Sequence, residues 1–246
     1  MFNEEFYIKL TNRRRGWEVI QPDKNQVIVD GSQATLSKAL ALSKLEIPVG
    51  DWVTQELAKT PGIPESVVNL LELNIADEDK HDRALNNLRA VFPVKAEDDT
   101  EVDRIVARAN ELAEIYSQIV MAGVLESSLF FVVLPIYRFL GGSGFRTIAN
   151  DISNDETLHV SANVQLAKDL GYRRGKAIDR FRGEIIDWLT SDLNAASDNK
   201  YLSADFWQQS SASLYSQGKA ENLKDTKRSV MPAFFETSQE NLPLYS

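Results

Sequence analysis

The chain contains no cysteine and only two histidines in 246 residues. Without cysteine there is no disulfide framework, no thiolate nucleophile and no sulfur ligand, so any metal site must be built from oxygen and nitrogen. Cationic residues are also in deficit: 27 Lys and Arg stand against 36 Asp and Glu, for a net charge of -9 and a pI near 4.9. That balance argues against a nucleic-acid partner, because a phosphate-tracking surface needs an excess of Lys and Arg, and the run Arg13-Arg14-Arg15 is too short to reverse it. The most apolar stretch, VMAGVLESSLFFVVLPIYRFL, is interrupted by Glu126, Pro135 and Arg138, and the N-terminus lacks a basic flank followed by an apolar core. These features predict a cytoplasmic protein with no membrane partner.

With 43% apolar and 26% charged residues, the composition fits one large globular core. Residues 1–34 read as a polar N-terminal arm, with QVIVDGS as a strand or extended piece ending in a turn. From about Thr35 the apolar spacing is helical up to the TPGIP breaker, with Pro48 expected to kink that segment. A second helix is predicted from Pro64 to Phe92. A third, about 40 residues long, runs from the Asp99-Thr100 cap region to the GGSG turn, and a fourth runs from there to Gly171. AIDRFRGEIIDWLTSDL and SADFWQQSSASLYSQGKAENL read as accessory helices. The helical domain spans 35–225, and 226–246 reads as a Pro-punctuated extended tail. Long helices joined by tight turns predict an all-α antiparallel bundle.

Both histidines stand three places after a glutamate, as Glu78-Asp79-Lys80-His81 and Glu156-Thr157-Leu158-His159. On a helix this spacing presents a carboxylate and an imidazole on one face. One copy reads as a surface hydrogen bond. Two copies on bundle helices, using every imidazole in the chain, point to a metal site of hard and borderline ligands suited to iron or manganese. Such a site needs a carboxylate from each of the other two helices. Glu126 is the only charge between Glu114 and Arg138, where burying it unpaired would cost several kcal/mol. It lies 15 residues before the GGSG turn and Glu156 lies 12 after, so antiparallel helices bring the two level. On the first helix the same levelling favours Glu46, with Asp51 the alternative if Pro48 ends the helix there.

With these residues in place, the sequence resembles the ferritin-like dimetal carboxylate superfamily, and within it the small, radical-generating subunit of class I ribonucleotide reductase. VLESSLFF resembles the family's glutamate-ligand helix, with Phe130 one turn past the ligand. ISNDETLH resembles its I-x-R-D-E-x-L-H signature through Ile152, Asp155, Glu156, Leu158 and His159. The resemblance covers about residues 36 to 170. It implies a ferritin-like four-helix bundle with accessory helices, in which Glu46, Glu78, His81, Glu126, Glu156 and His159 hold two metal ions, Fe/Fe or Mn/Fe, with Mn/Mn possible.

It further implies that Asp155 accepts from the nitrogen of His81 that faces away from metal, and that Trp17 is the tryptophan joined to that aspartate in an electron relay. Phe130 and Leu85 would line the site. The implied activity is oxidation of the reduced metals by O2 and storage of an oxidising equivalent for DNA precursor synthesis. The implied assembly is a homodimer that meets a large catalytic subunit through its C-terminal tail, where Tyr245 would serve as a relay. The chain departs from the family in being short, in having Asn154 for the usual arginine, and in carrying Leu85 where the radical tyrosine belongs. Leucine cannot form a stable radical, so either the oxidising equivalent stays on the metals, as in the manganese-iron subclass, or the chain no longer initiates nucleotide reduction. ADEDKHDRALNN also resembles the second metal helix of acyl-carrier desaturases, so a stand-alone dimetal oxygenase or desaturase acting on an apolar substrate is the second expectation. An iron-storing bundle is the third.

Overall fold

The periodic stretches form helices where their caps and breakers place them. The computed structural model describes residues 2–217, and every regular element among them is helical. The arm holds a short helix that its mixed polarity concealed: α1 (Glu4–Thr11) starts where the Asn3 side chain accepts from Phe6 N, and buries Tyr7 and Leu10. Residues 12–31 then run without regular structure, and Val29 N donates to Leu140 O at 2.9 Å. QVIVDGS is therefore an extended arm and not a strand. It crosses the turn that follows the third long segment so tightly that a Cβ on Gly142 would lie 2.9 Å from Val27 O.

The first core segment is α2 (Gln33–Ala41), a 3-10 turn (Leu42–Leu45) and α3 (Glu46–Lys59). The expected irregularity falls just before Pro48, which sits in the first turn of α3, where a missing N–H leaves no bond unmade. α4 (Glu65–Val91) follows directly after Pro64. The predicted 40-residue third helix is instead divided: α5 (Ala96–Tyr116) ends at Ser117, and α6 (Gln118–Leu125), a π-turn (Glu126–Phe130) and α7 (Phe131–Leu140) complete it.

The division at Ser117 follows from composition. α5 buries only Asp98, Val102, Ile105, Ala109, Leu112 and Ala113, a 3.6-period stripe with an exposed polar face, whereas every residue of α6 is buried. A straight continuation would carry that polar face into the core. The chain turns instead, and the Ser117 hydroxyl accepts from Val120 N to start α6. Gln118–Leu140 is long and apolar enough to cross a membrane by composition alone, yet it is wholly buried within the fold.

α8 (Ser143–Asp169) closes with Gly171 at φ +73°, and Tyr172 N reaches back to Ala167 O in a Schellman-type stop. α9 (Lys176–Thr190) and α10 (Ala204–Gln217) pack on each other, and α10 also covers the π-turn. In the centre, α3 lies against α4 and α6, while α8 lies against α4, α6 and α7. α1 rests on α4 and α8, where Tyr7 OH donates to Asp169 at 2.8 Å.

Candidate metal centre

The buried faces of α4 and α8 change character midway. On α4 the stripe runs Val67, Leu70, Leu71, then Asn74, Asp77, Glu78, His81, then Ala84, Leu85, Leu88. On α8 the buried residues run Phe145, Ile148, Ala149, Ile152, then Asp155, Glu156, His159 and Asn163 interspersed with Leu158, Val160 and Ala162, then Leu166. Each helix thus drives a polar segment into the interior between apolar ends that fix its depth. The two helices are antiparallel, since His81 lies beside Asp155 and His159 beside Asp77.

Glu46, the first residue of α3, and Glu126, the first residue of the π-turn, complete the cluster, and both are buried. Asp51 is exposed, so α3 contributes Glu46. π-turns are rare and recur at functional sites, because the extra residue re-aims a side chain. Here the wide turn is steadied by Ser127 and Ser128, whose hydroxyls donate to Gly123 O and Val124 O at 2.5 Å, and by Ser211, which donates to Ser128 O at 2.6 Å.

Two ligand groups result, Glu46–Glu78–His81–Glu156 and Glu78–Glu126–His159, each with its donor atoms within 4.8 Å of one another and with Glu78 common to both. His81 Nδ1 lies 3.5 Å from Glu46 Oε2, 3.5 Å from Glu78 Oε2 and 3.4 Å from Glu156 Oε1. His159 Nδ1 lies 2.9 Å from Glu78 Oε1 and 3.9 Å from Glu156 Oε1. Despite this proximity, both Nδ1 atoms, both Glu156 oxygens, Glu46 Oε2 and Glu78 Oε2 are buried without a partner in hydrogen-bonding geometry.

These six atoms face one another, so more than half of the ten unpartnered buried side-chain atoms among the described residues lie at one place. The outward ring nitrogens explain how it is aimed. His81 Nε2 meets Asp155 Oδ2 at 3.3 Å, and His159 Nε2 meets Asp77 Oδ2 at 3.2 Å. A carboxylate accepts, so in the neutral imidazole Nε2 carries the proton and the Nδ1 lone pair is left for the glutamates. Lone pairs converging in a dry interior repel unless a cation lies between them, and four carboxylates balance two divalent ions in charge. The residues therefore fit a bound metal, and a buried carboxylate–histidine cluster that can hold one is a property of this chain.

Without metal, the same crowding is expressed in proton affinity. Burial raises Glu46, Glu126 and Glu156 above the ordinary carboxylate range, and neighbouring glutamates add to it. Burial alone would also raise Glu78, but the two imidazoles beside it outweigh that and hold it low. Burial would lower both histidines; the surrounding carboxylates outweigh it and raise them. Asp155 is held low by its bonds to His81 and Trp17 against the effect of burial.

Around this cluster, Trp17 Nε1 donates to Asp155 Oδ2 at 2.6 Å. The indole is nearly parallel to the His81 ring, at 6.2 Å between centroids and 17°, and Lys80 Nζ lies 4.0 Å over it. The arm residue expected at Asp155 is thus the one found there. Arg14 pairs with Asp77, and Asn163 Nδ2 donates to both oxygens of Glu126 at 2.9 and 2.7 Å.

All six expected ligands converge. Leu85 and Phe130 are buried, whereas Tyr245 and the tail at 226–246 lie outside the described residues. Three participants were missed: Asp77, Arg14 and Asn163. Asp77 had a visible signal, since Asp-Glu-x-x-His occurs twice, at 77–81 and 155–159. Asn163 follows His159 by one helical turn, and nothing in the sequence marked Arg14 out from its neighbours. Compared with protein-family models, curated proteins and solved structures, the chain matches none.

Proposed function

We propose that α3, α4, α6–α7 and α8 form a ferritin-like four-helix bundle around a dimetal carboxylate centre. The chain is then an oxidoreductase of the ribonucleotide reductase small-subunit type. The observation that carries this reading is the hydrogen-bonded run from Trp17 through Asp155 to His81, which joins a half-buried indole to a ring whose other nitrogen faces the glutamates. When bound, iron or manganese supplies the electrons that reduce O2 and retains oxidising power afterwards.

The chain's own residues do the rest. Glu46, Glu78, His81 and Glu156 would hold one ion, and Glu78, Glu126 and His159 the other. Asp155 and Asp77 hold the imidazoles in the tautomer that leaves Nδ1 facing inward. Leu85 and Ile152 are buried apolar residues on the same two helices. Leu85 offers no phenol one turn past His81, so the oxidising equivalent is not handed to a side chain at that position.

Nucleotide reduction should therefore require a separate large subunit. Metal-loaded protein should support deoxynucleotide formation only when mixed with a ribonucleotide reductase large subunit encoded near it. Metal-loaded protein that supports none in that mixture contradicts the reading.

A stand-alone dimetal oxygenase is the second reading, favoured by a cavity of about 330 Å³ between α6 and α8. Ile119, Val120, Gly123 and Val164 line one part of it, together with Asn163, the residue that donates to Glu126, and Lys168, Tyr172, Arg173 and Arg174 line another. Oxygen consumption coupled to an apolar substrate without any second protein would support this reading over the first.

A further inference from the structure

The N-terminal arm touches the cluster twice, and its two contacts are not alike. Trp17, a neutral donor, holds Asp155 behind His81. Arg14, a cation, holds Asp77 behind His159. The Arg14 guanidinium also donates to Asn74 Oδ1 at 2.9 Å and to Leu73 O at 3.2 Å, so it grips three groups along α4. Arg14 and Asp77 are mostly shielded, with 17% and 11% of their side chains exposed. The oxygen of Asp77 that Arg14 grips, Oδ2, is the same one that faces His159 Nε2.

We propose that Arg14 is a positioning residue for the second ligand group, Glu78–Glu126–His159, and that docking of the arm and binding of a divalent cation by that group are coupled. This rests on the reading of the cluster as a metal centre. A carboxylate behind a ligating imidazole fixes both its ring orientation and its tautomer. Asp77 can do so only while it is held still. Among the described residues, the side-chain bonding partners of Asp77 are His159 and Arg14.

Arg suits the task because its planar fork is charged at any working pH and bonds several acceptors at fixed angles. The pairing also makes the two groups unequal. Asp77 is neutralised by Arg14, whereas Asp155 is bonded by an uncharged indole, so His81 is backed by the more strongly electron-donating carboxylate. Loss of Arg14 should weaken one ion and leave the other in place.

The test is titration of the metal-free full chain with Mn(II), followed by calorimetry and by electron paramagnetic resonance. Wild type should take two equivalents and give a spin-coupled signal. Arg14→Ala should bind one equivalent as wild type does and the other about 10–100-fold more weakly. At two added equivalents it should then show the six-line signal of isolated Mn(II). Arg14→Lys should recover part of the affinity, and Arg104→Ala, on the exposed face of α5, should change nothing.

Equal loss of both equivalents in Arg14→Ala, with no recovery in Arg14→Lys, would make the arm a general stabiliser and overturn the proposal. Unchanged binding and an unchanged coupled signal would also overturn it, while leaving the metal reading intact. A wild type that binds no Mn(II) would end both together.

Discussion

Glu46, Glu126 and Glu156 each carry an electrostatic conflict, because each is a carboxylate whose burial resists its charge. The sign of the pH dependence follows. Unfolded, these groups release protons near the ordinary glutamate value of about 4.3, and the histidines near about 6.5. Folded and metal-free, they and both histidines hold protons to higher pH. The folded state therefore binds more protons than the unfolded state above pH ~4.3, and the stability of the metal-free protein falls as pH rises through the raised values. Glu78 has the opposite sign: its contribution is present above the unfolded value and is lost only in acid below it.

A metal displaces the same protons. The melting-temperature gain on adding saturating Mn(II) should therefore grow between pH ~5.5 and ~8, as scanning calorimetry of both forms would show. A gain that shrinks over that interval would mean that the metal does not bind at these groups.

At the level of elements, the π-turn at Glu126–Phe130 is where local geometry is given over to the site. A regular helix through these residues would rotate Glu126 by about 100° relative to α7. Deleting Ser128 should therefore keep the helical circular dichroism and lose one of two bound metal equivalents. Retention of both would show that the wide turn is incidental. This element also shows why part of the fold was not legible. The isolated charge of Glu126 in an apolar run marked it as a ligand, but a π-turn has no pattern of its own. Nothing in the sequence sets apart Ser127 and Ser128, which steady it.

The break at Ser117 was hidden because helix propensity continues across it; only the change from half-buried to wholly buried sequence marks it. The three-residue spacing of Glu78 with His81 and of Glu156 with His159 was legible because it depends on one helix at a time. Arg14–Asp77 joins residues 63 positions apart and needed the arm's path, which no local pattern encodes. Trp17 was found because a resemblance supplied that path. Asp77 could have been found by asking whether both copies of the motif carried the preceding aspartate.

For the whole molecule, the arrangement is a set of apolar helices closing on a polar centre, with the arm strapped over the outward side of both histidines. Opposed apolar segments above and below the centre set its depth, and the duplicated Asp-Glu-x-x-His gives it an approximate twofold plan. Each aspartate serves the histidine of the opposite helix, so α4 and α8 must be in register for either half to form. We propose that this plan holds two metal ions through one shared glutamate.

Elemental analysis after anaerobic loading with Fe(II) or Mn(II) and removal of free ion counts those ions. Wild type should retain two ions per chain, Glu126→Ala one, and Glu78→Ala, which removes the shared ligand, less than one. A wild type that retains none, or a Glu78→Ala variant that retains as much as wild type, would contradict the account.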